Sequence, residues 1–166
     1  MAHSDLVVVI GVGGMGRAIA RRVGSAKTLL LADYNEQTLQ AAAESLAAEG
    51  HHVHSCRVDV SSGPSVNALA QEAAALGAVT HVVHTAGLSP SQADTAAILA
   101  VDLLGVALVL DEFAHVIAPG GAGVVIASMA GHMFALTAEQ ENALGQAQPQ
   151  DLLHLPFLED ITDPGR

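Results

Sequence analysis

The chain has 166 residues, 51% of them hydrophobic but only 2% aromatic, with 6 Lys and Arg against 17 Asp and Glu for a net charge of −11. This length suits one domain with a core of Ala, Val, Leu and Ile, and the charge argues against a nucleic-acid partner while leaving room for a nucleotide whose phosphates meet backbone N–H groups. Cys56 is the only cysteine, which excludes an internal disulfide and fits a reducing, cytoplasmic setting; neither a signal peptide nor an uncharged apolar run of about 18 residues for a membrane span is evident.

Residues 6–10, Leu-Val-Val-Val-Ile, are β-branched and uncharged after the leucine, as expected of a strand buried on both faces. Gly11, Gly13 and Gly16 follow as G-x-G-x-x-G, with Gly14 and Met15 between them. After a strand and before a helix each glycine has a role. Gly11 allows the tight turn, Gly13 admits a pyrophosphate to the backbone, and Gly16 lets helix pack close on strand. The helix is expected over 14–23, with Met15, Ile19 and Val23 on its inner face. Its N-terminal dipole and free N–H groups would meet the phosphates.

A second strand is expected over 28–32, followed by Asp33 and a helix over 36–49 capped by Asn35 and stopped by Gly50. A third strand over 52–58 ends in Asp59 and Val60, and a helix over 65–76 follows Pro64. A fourth strand over 79–84 ends in Thr85-Ala86-Gly87. Next comes a long helix over 94–118, apolar nearly all round at its centre and stopped by Pro119-Gly-Gly121. A fifth strand over 123–127 leads to Ser128. Beyond Gly131 the strand signal ends. Thr137-Ala-Glu-Gln140 reads as a capping box, residues 149–154 as a short helix, and Asp163 to Arg166 as a loop. Strands alternating with helices predict a doubly wound parallel α/β sheet in the order 3-2-1-4-5. Residues 1–131 form its core and 132–166 a helical and loop insertion.

The candidate functional residues sit at carboxyl ends of strands, where open α/β sheets bind ligands. Asp33 is placed to accept hydrogen bonds from the 2′- and 3′-hydroxyls of an adenosine ribose. That favours NAD over NADP, a preference tempered by Arg17, Arg21 and Arg22; the alternative is a helix cap. Asp59 could bond an adenine amino group while Val60 packs on the ring, and Thr85, Ala86 and Gly87 leave room for close approach. Ser128 could bond a substrate oxygen, and Met129, Met133 and Phe134 could line an apolar pocket. His52 and His54 share a strand face, but nothing nearby completes a metal site. His84, His115 and His154 read as ordinary polar positions, and His132 stands toward the presumed substrate mouth.

Taken in order, the glycine motif, Asp33, Asp59-Val60, Thr85-Ala86-Gly87, Asp102-Leu-Leu-Gly105 and Ile126-Ala-Ser-Met-Ala-Gly131 resemble the short-chain dehydrogenase/reductase family over residues 5–131. The resemblance implies an NAD-dependent oxidoreductase acting on an alcohol or ketone, with Ser128 in the place of the catalytic Ser and Asp102 in that of the catalytic Asn. It also implies a homodimer or homotetramer paired through the long helix. The chain departs from the family at four places. Its glycine motif is one residue tighter, Thr85 replaces an Asn, and a carboxylate at Asp102 cannot donate as an amide does. The family's Tyr-x-x-x-Lys has no counterpart: Glu141 stands where the Tyr is expected, Tyr34 is the only tyrosine and Lys27 the only lysine. The expectation is therefore a piece of such an enzyme, its last strands and catalytic pair missing, that binds NAD weakly and turns nothing over. The apolar tail implies a hydrophobic substrate. The competing readings are a non-catalytic dinucleotide sensor and an S-adenosylmethionine methyltransferase, against which the glycine spacing and the Ser128 motif argue.

Overall fold

The computed structural model describes residues 5–133, 135–159 and 161. Five parallel strands form one sheet in the order β3-β2-β1-β4-β5. They are β1 (Asp5–Ile10), β2 (Thr28–Asp33), β3 (His52–Arg57), β4 (Ala78–His84) and β5 (Ile117–Val125). β1 is the central strand, and Leu6 to Ile10 are wholly buried because helices cover both faces.

Strand alternation divides the core in two. Leu6, Val8, Ile10 and Leu30 pack on one face with Val66 and Leu69 of α3 (Gly63–Leu76) and Val109 and Phe113 of α5 (Gly105–Ala114). Val7, Val9, Leu29 and Leu31 pack on the other with Ala20 of α1 (Gly14–Val23) and Leu39 and Leu46 of α2 (Glu36–Ala48). Asn35 caps α2 as expected, its side chain accepting from Thr38 N–H at 2.9 Å.

The inner face expected of α1 needs one correction. Gly16 and Ala20 are buried and Ile19 and Val23 pack against the core, but Met15 is 58% exposed. Met15 lies in the first turn of α1.

The long helix is also different in detail. It begins as α4 (Thr95–Ile98), widens into a π-helical stretch over Leu99–Leu104, and continues as α5 to Ala114. Gly105 N–H donates to Ala100 O, five residues back, as a π turn requires. The helix ends four residues short of the expected stop. Pro119 disfavours helical backbone at Ala118, and the β-branched Ile117 instead pairs with Val79. β5 then bulges, since the next partners are His81 and Ala122. Pro119 has no N–H for a ladder and Gly120 adopts φ +81°.

After β5, Met129–His132 form one 3₁₀ turn and α6 spans Ala138–Gln146, opened by the expected Thr137–Gln140 capping box. A 3₁₀ segment, Pro149–His154, packs on the π-helical stretch and buries Leu152; α7 (Pro156–Glu159) closes the described chain and buries Leu158. The expected loop at Asp163–Arg166 and the pocket position expected of Phe134 lie outside the described residues. Among the described residues, no helix is long and apolar enough to cross a membrane.

Candidate functional site

All the chemistry-bearing turns between β1, β2, β3 and β4 and the helices that follow them meet at the carboxyl edge of the sheet. They enclose a cleft of about 630 Å³, a size suited to a small organic ligand. The switch point of the sheet lies there, because chain connections leave β1 toward β2 on one side and reach β4 on the other.

The glycine loop forms the floor. Gly11 has φ +86°, and a Cβ on it would stand 2.4 Å from Ala86 N. A Cβ on Gly16 would stand 1.8 Å from Gly11 O and 2.8 Å from Thr85 Oγ1. Both glycines are therefore required by packing within the protein. Thr85 explains part of it: its hydroxyl donates to Gly11 O at 2.6 Å, tying the end of β4 to the turn after β1. Gly13 and Gly14 differ, since a Cβ at either would meet nothing within 4 Å. Gly13 lines the cleft and is the N-cap of α1, with no side chain capping the helix and no acidic residue in its first turn. An uncapped helix N-terminus facing open space suits an anion. Arg21 and Arg22 occupy the last turn of α1. Arg21 is paired there with Glu49, so it is committed away from the cleft.

Asp33 joins two of these turns. Its Oδ2 accepts from Val12 N–H at 2.8 Å and its Oδ1 from Asn35 N–H at 2.9 Å. Each carboxylate oxygen keeps a lone pair. The helix-cap alternative is thereby met by Asn35, which leaves the Asp33 side chain at the cleft. Asp59 and Val60 also line the cleft. Asp59 Oδ1 accepts from Ser61 N–H at 3.0 Å and from Ser61 Oγ–H at 2.6 Å, while its own N–H donates to Ser65 Oγ at 3.0 Å. The cleft lining contains two aspartates and neither Lys nor Arg.

Eight of the expected residues line this cleft: Gly11, Gly13, Asp33, Asp59, Val60, Thr85, Ala86 and Gly87. Asp102 stands just behind it. Its Oδ1 accepts from Leu88 N–H at 2.8 Å, and Leu88 is a cleft residue. Partial burial holds the Asp102 carboxyl above the usual carboxylate range, a shift opposed by the Leu88 N–H. Ser128 lies outside the lining. It is exposed, and its Oγ accepts from Ala130 N–H at 3.1 Å. Met129 and Met133 are 81% and 69% exposed and lie outside the lining of this cleft.

Sequence reasoning missed Tyr34, Ser61, Leu88 and Gln92, and the helix residues Ala97, Ala100 and Val101, all of which line the cleft. The last three stand at i, i+3 and i+4, a helix face that spacing alone could have picked out. His84 is a correction of another kind. It is 1% exposed and, among the described residues, neither ring nitrogen has a hydrogen-bond partner. Its place at the end of β4, between Ile10 and Val125, buries it whatever its polarity. Burial pushes its pKa down. His52 and His54 lie on the edge strand β3 with ring centroids 5.9 Å apart. Among the described residues, no group of three or more His, Cys, Asp or Glu is placed to hold a metal.

A family model described as short chain dehydrogenase matches residues 5–138. The short-chain dehydrogenase/reductase bsc3 of Alternaria brassicicola is 43% identical over 162 residues, which cover 96% of this chain and 59% of that protein. A short-chain dehydrogenase/reductase from Burkholderia phymatum, solved in complex with NAD, matches with TM-score 0.72 and 30% identity over 86% of this chain and 55% of that one. A metagenomic short-chain oxidoreductase in complex with NADP matches with TM-score 0.69 and 29% identity, over 79% of this chain and 65% of that one. The chain thus spans about three-fifths of the length of the curated relative.

Proposed function

Because the chain belongs to the short-chain dehydrogenase family, we propose that its cleft binds NAD as part of an oxidoreductase acting on an alcohol or ketone. The observation that carries this reading is Asp33, whose carboxylate is fixed by Val12 and Asn35 at the mouth of a cleft floored by an uncapped helix N-terminus. The free lone pairs of Asp33 take the 2′- and 3′-hydroxyls of the adenosine ribose. The N–H groups of the first turn of α1 take the pyrophosphate, which approaches over Gly13. Asp59 takes the adenine amino group and Val60 packs on the ring. A 2′-phosphate would face Asp33 in a lining without a cation, which supports NAD over NADP.

The nicotinamide supplies the hydride, and the protein supplies position and electrostatics. Thr85, Ala86 and Gly87 shape the cleft wall toward the reacting end. Ser128 Oγ accepts from Ala130 N–H and keeps its own proton to donate to a substrate oxygen. Asp102, at the family's amide position, accepts from Leu88 N–H and so holds the cleft wall at Leu88, with burial raising its carboxyl pKa from the ordinary value. The exposed side chains of Met129, Met133 and Leu136, which follow Ser128 in the chain, support a hydrophobic substrate. No Tyr-x-x-x-Lys exists in residues 1–166 to carry the proton. Residues 132–166 are read as an insertion ahead of that pair in the family, and the described chain as its cofactor-binding portion. A cytoplasmic setting and pairing through the long helix complete the proposal.

A second reading is a dinucleotide sensor without catalysis. Calorimetric titration of the chain with NADH, NADPH and S-adenosylmethionine tests both. We expect NADH to bind, NADPH to bind less tightly, and Asp33→Ala to weaken NADH about tenfold, the loss of a charge-assisted pair of hydrogen bonds. Preferential binding of S-adenosylmethionine would overturn the dinucleotide reading. Turnover of an alcohol or ketone by residues 1–166 alone would overturn both the sensor reading and the need for a Tyr-x-x-x-Lys pair in the reaction.

A further inference from the structure

The cleft residue next to Asp33 is Tyr34, whose side chain is unusually bare for an aromatic group, 63% exposed. One face of its ring is taken. The Arg57 guanidinium carbon stands over it, 4.6 Å from the centroid, a cation–π distance. Arg57 reaches that place because β2 and β3 pair in register, Asp33 opposite Arg57. It is steadied on its other side by Glu36, with Arg57 Nε and Glu36 Oε1 3.8 Å apart. Val58, the residue after Arg57, lines the cleft with Asp59 and Val60. The ring and the apolar wall of Val58 and Val60 thus belong to the same end of the cleft, the end assigned to adenine.

We propose that Tyr34 and Arg57 form a clamp on the adenine of the dinucleotide. The phenol ring stacks on the purine, which lies between Tyr34 and Val60, and Arg57 is a positioning residue that fixes the ring from behind. This rests on the dinucleotide reading of the cleft. Arg57 stands opposite Asp33 in the register of β2 and β3, with its guanidinium over the Tyr34 ring.

The chain provides its own reporter, because Tyr34 is the only tyrosine and there is no tryptophan. Its ultraviolet emission above 300 nm is that of the clamp ring. Titration of the full chain with ADP-ribose, corrected for absorption by the ligand, is expected to quench this emission by more than about half; nicotinamide mononucleotide, which lacks the purine, is expected to leave it unchanged. Calorimetry is expected to show ADP-ribose weakened about tenfold by Tyr34→Ala, little changed by Tyr34→Phe, and weakened less than in Tyr34→Ala by Arg57→Ala. Arg57→Lys, which keeps a cation over the ring, is expected to recover part of that loss. Binding of ADP-ribose that neither quenches Tyr34 nor weakens in Tyr34→Ala overturns the clamp and leaves the cofactor reading standing. Failure of the wild-type chain to bind NADH or ADP-ribose overturns the cofactor reading and the clamp with it.

Discussion

Gly13 and Gly16 belong to one motif, yet the structure gives them different dependencies. A methyl group on Gly16 would collide with Gly11 O and Thr85 Oγ1, both parts of the junction between β1 and β4. A methyl group on Gly13, a cleft residue, would meet nothing within 4 Å. Gly16→Ala is therefore expected to cost about 3 kcal/mol or more, read as a drop in Tm and in urea midpoint. Gly13→Ala is expected to stay within about 0.5 kcal/mol of wild type while weakening NADH at least tenfold by calorimetry. Equal losses of stability in the two variants would mean that Gly13 serves packing rather than a ligand. At this scale the sequence was readable wherever a residue type has few uses. Glycines before a helix and an aspartate after a strand have few; Tyr34 has many, and only its place against Arg57 and the cleft distinguishes it from a surface tyrosine.

β4 shows what an element does to the residues it carries. Its last position is buried by neighbours on both sides, so His84 sits among apolar groups with no partner described for either nitrogen. Its pKa falls below the ordinary 6.5 because burial disfavours the cation. The folded state then binds a proton less readily than the unfolded chain. The stability that follows is present above about pH 6.5 and is lost as pH falls through the folded-state pKa. Thermal unfolding between about pH 7 and pH 5 should show Tm declining in the wild type and a shallower decline in His84→Leu, whatever that variant's Tm at pH 7. An unchanged slope would place the acid sensitivity elsewhere. The long helix gives the companion lesson. Its apolar composition announced a helix, but the π-helical widening at Leu99–Leu104 and the early end at Ala114 come from outside it. Gly105 packs against Val60, where a Cβ would stand 2.9 Å from Val60 Cγ2. Asp102 meanwhile reaches across to Leu88.

For the whole molecule, the exposed part of the long helix bears on assembly. Leu110 is 56% exposed on α5, while Pro149–His154 already covers part of the π-helical stretch. If the helix pairs two copies, sedimentation at micromolar concentration should give a dimer or tetramer, and Leu110→Glu should shift it toward monomer. A monomer in the wild type would count against pairing through this helix. Sequence alone determined the layers and the strand order, because a buried parallel strand needs an unbroken apolar run and crossovers are right-handed, which leaves few arrangements. It also determined which turns hold the glycines, Asp33 and Asp59, since these positions follow directly from where strands end. Tertiary structure decided the rest. Ser128 and Asp102 follow the same motif logic, yet one lies outside the cleft and the other behind it. Their positions depend on how far a bulged β5 and a π-widened helix carry the backbone, and no local pattern records that distance. The Tyr34–Arg57 stack likewise depends on register between two strands, a contact between residues far apart in the chain that only the assembled sheet brings within reach.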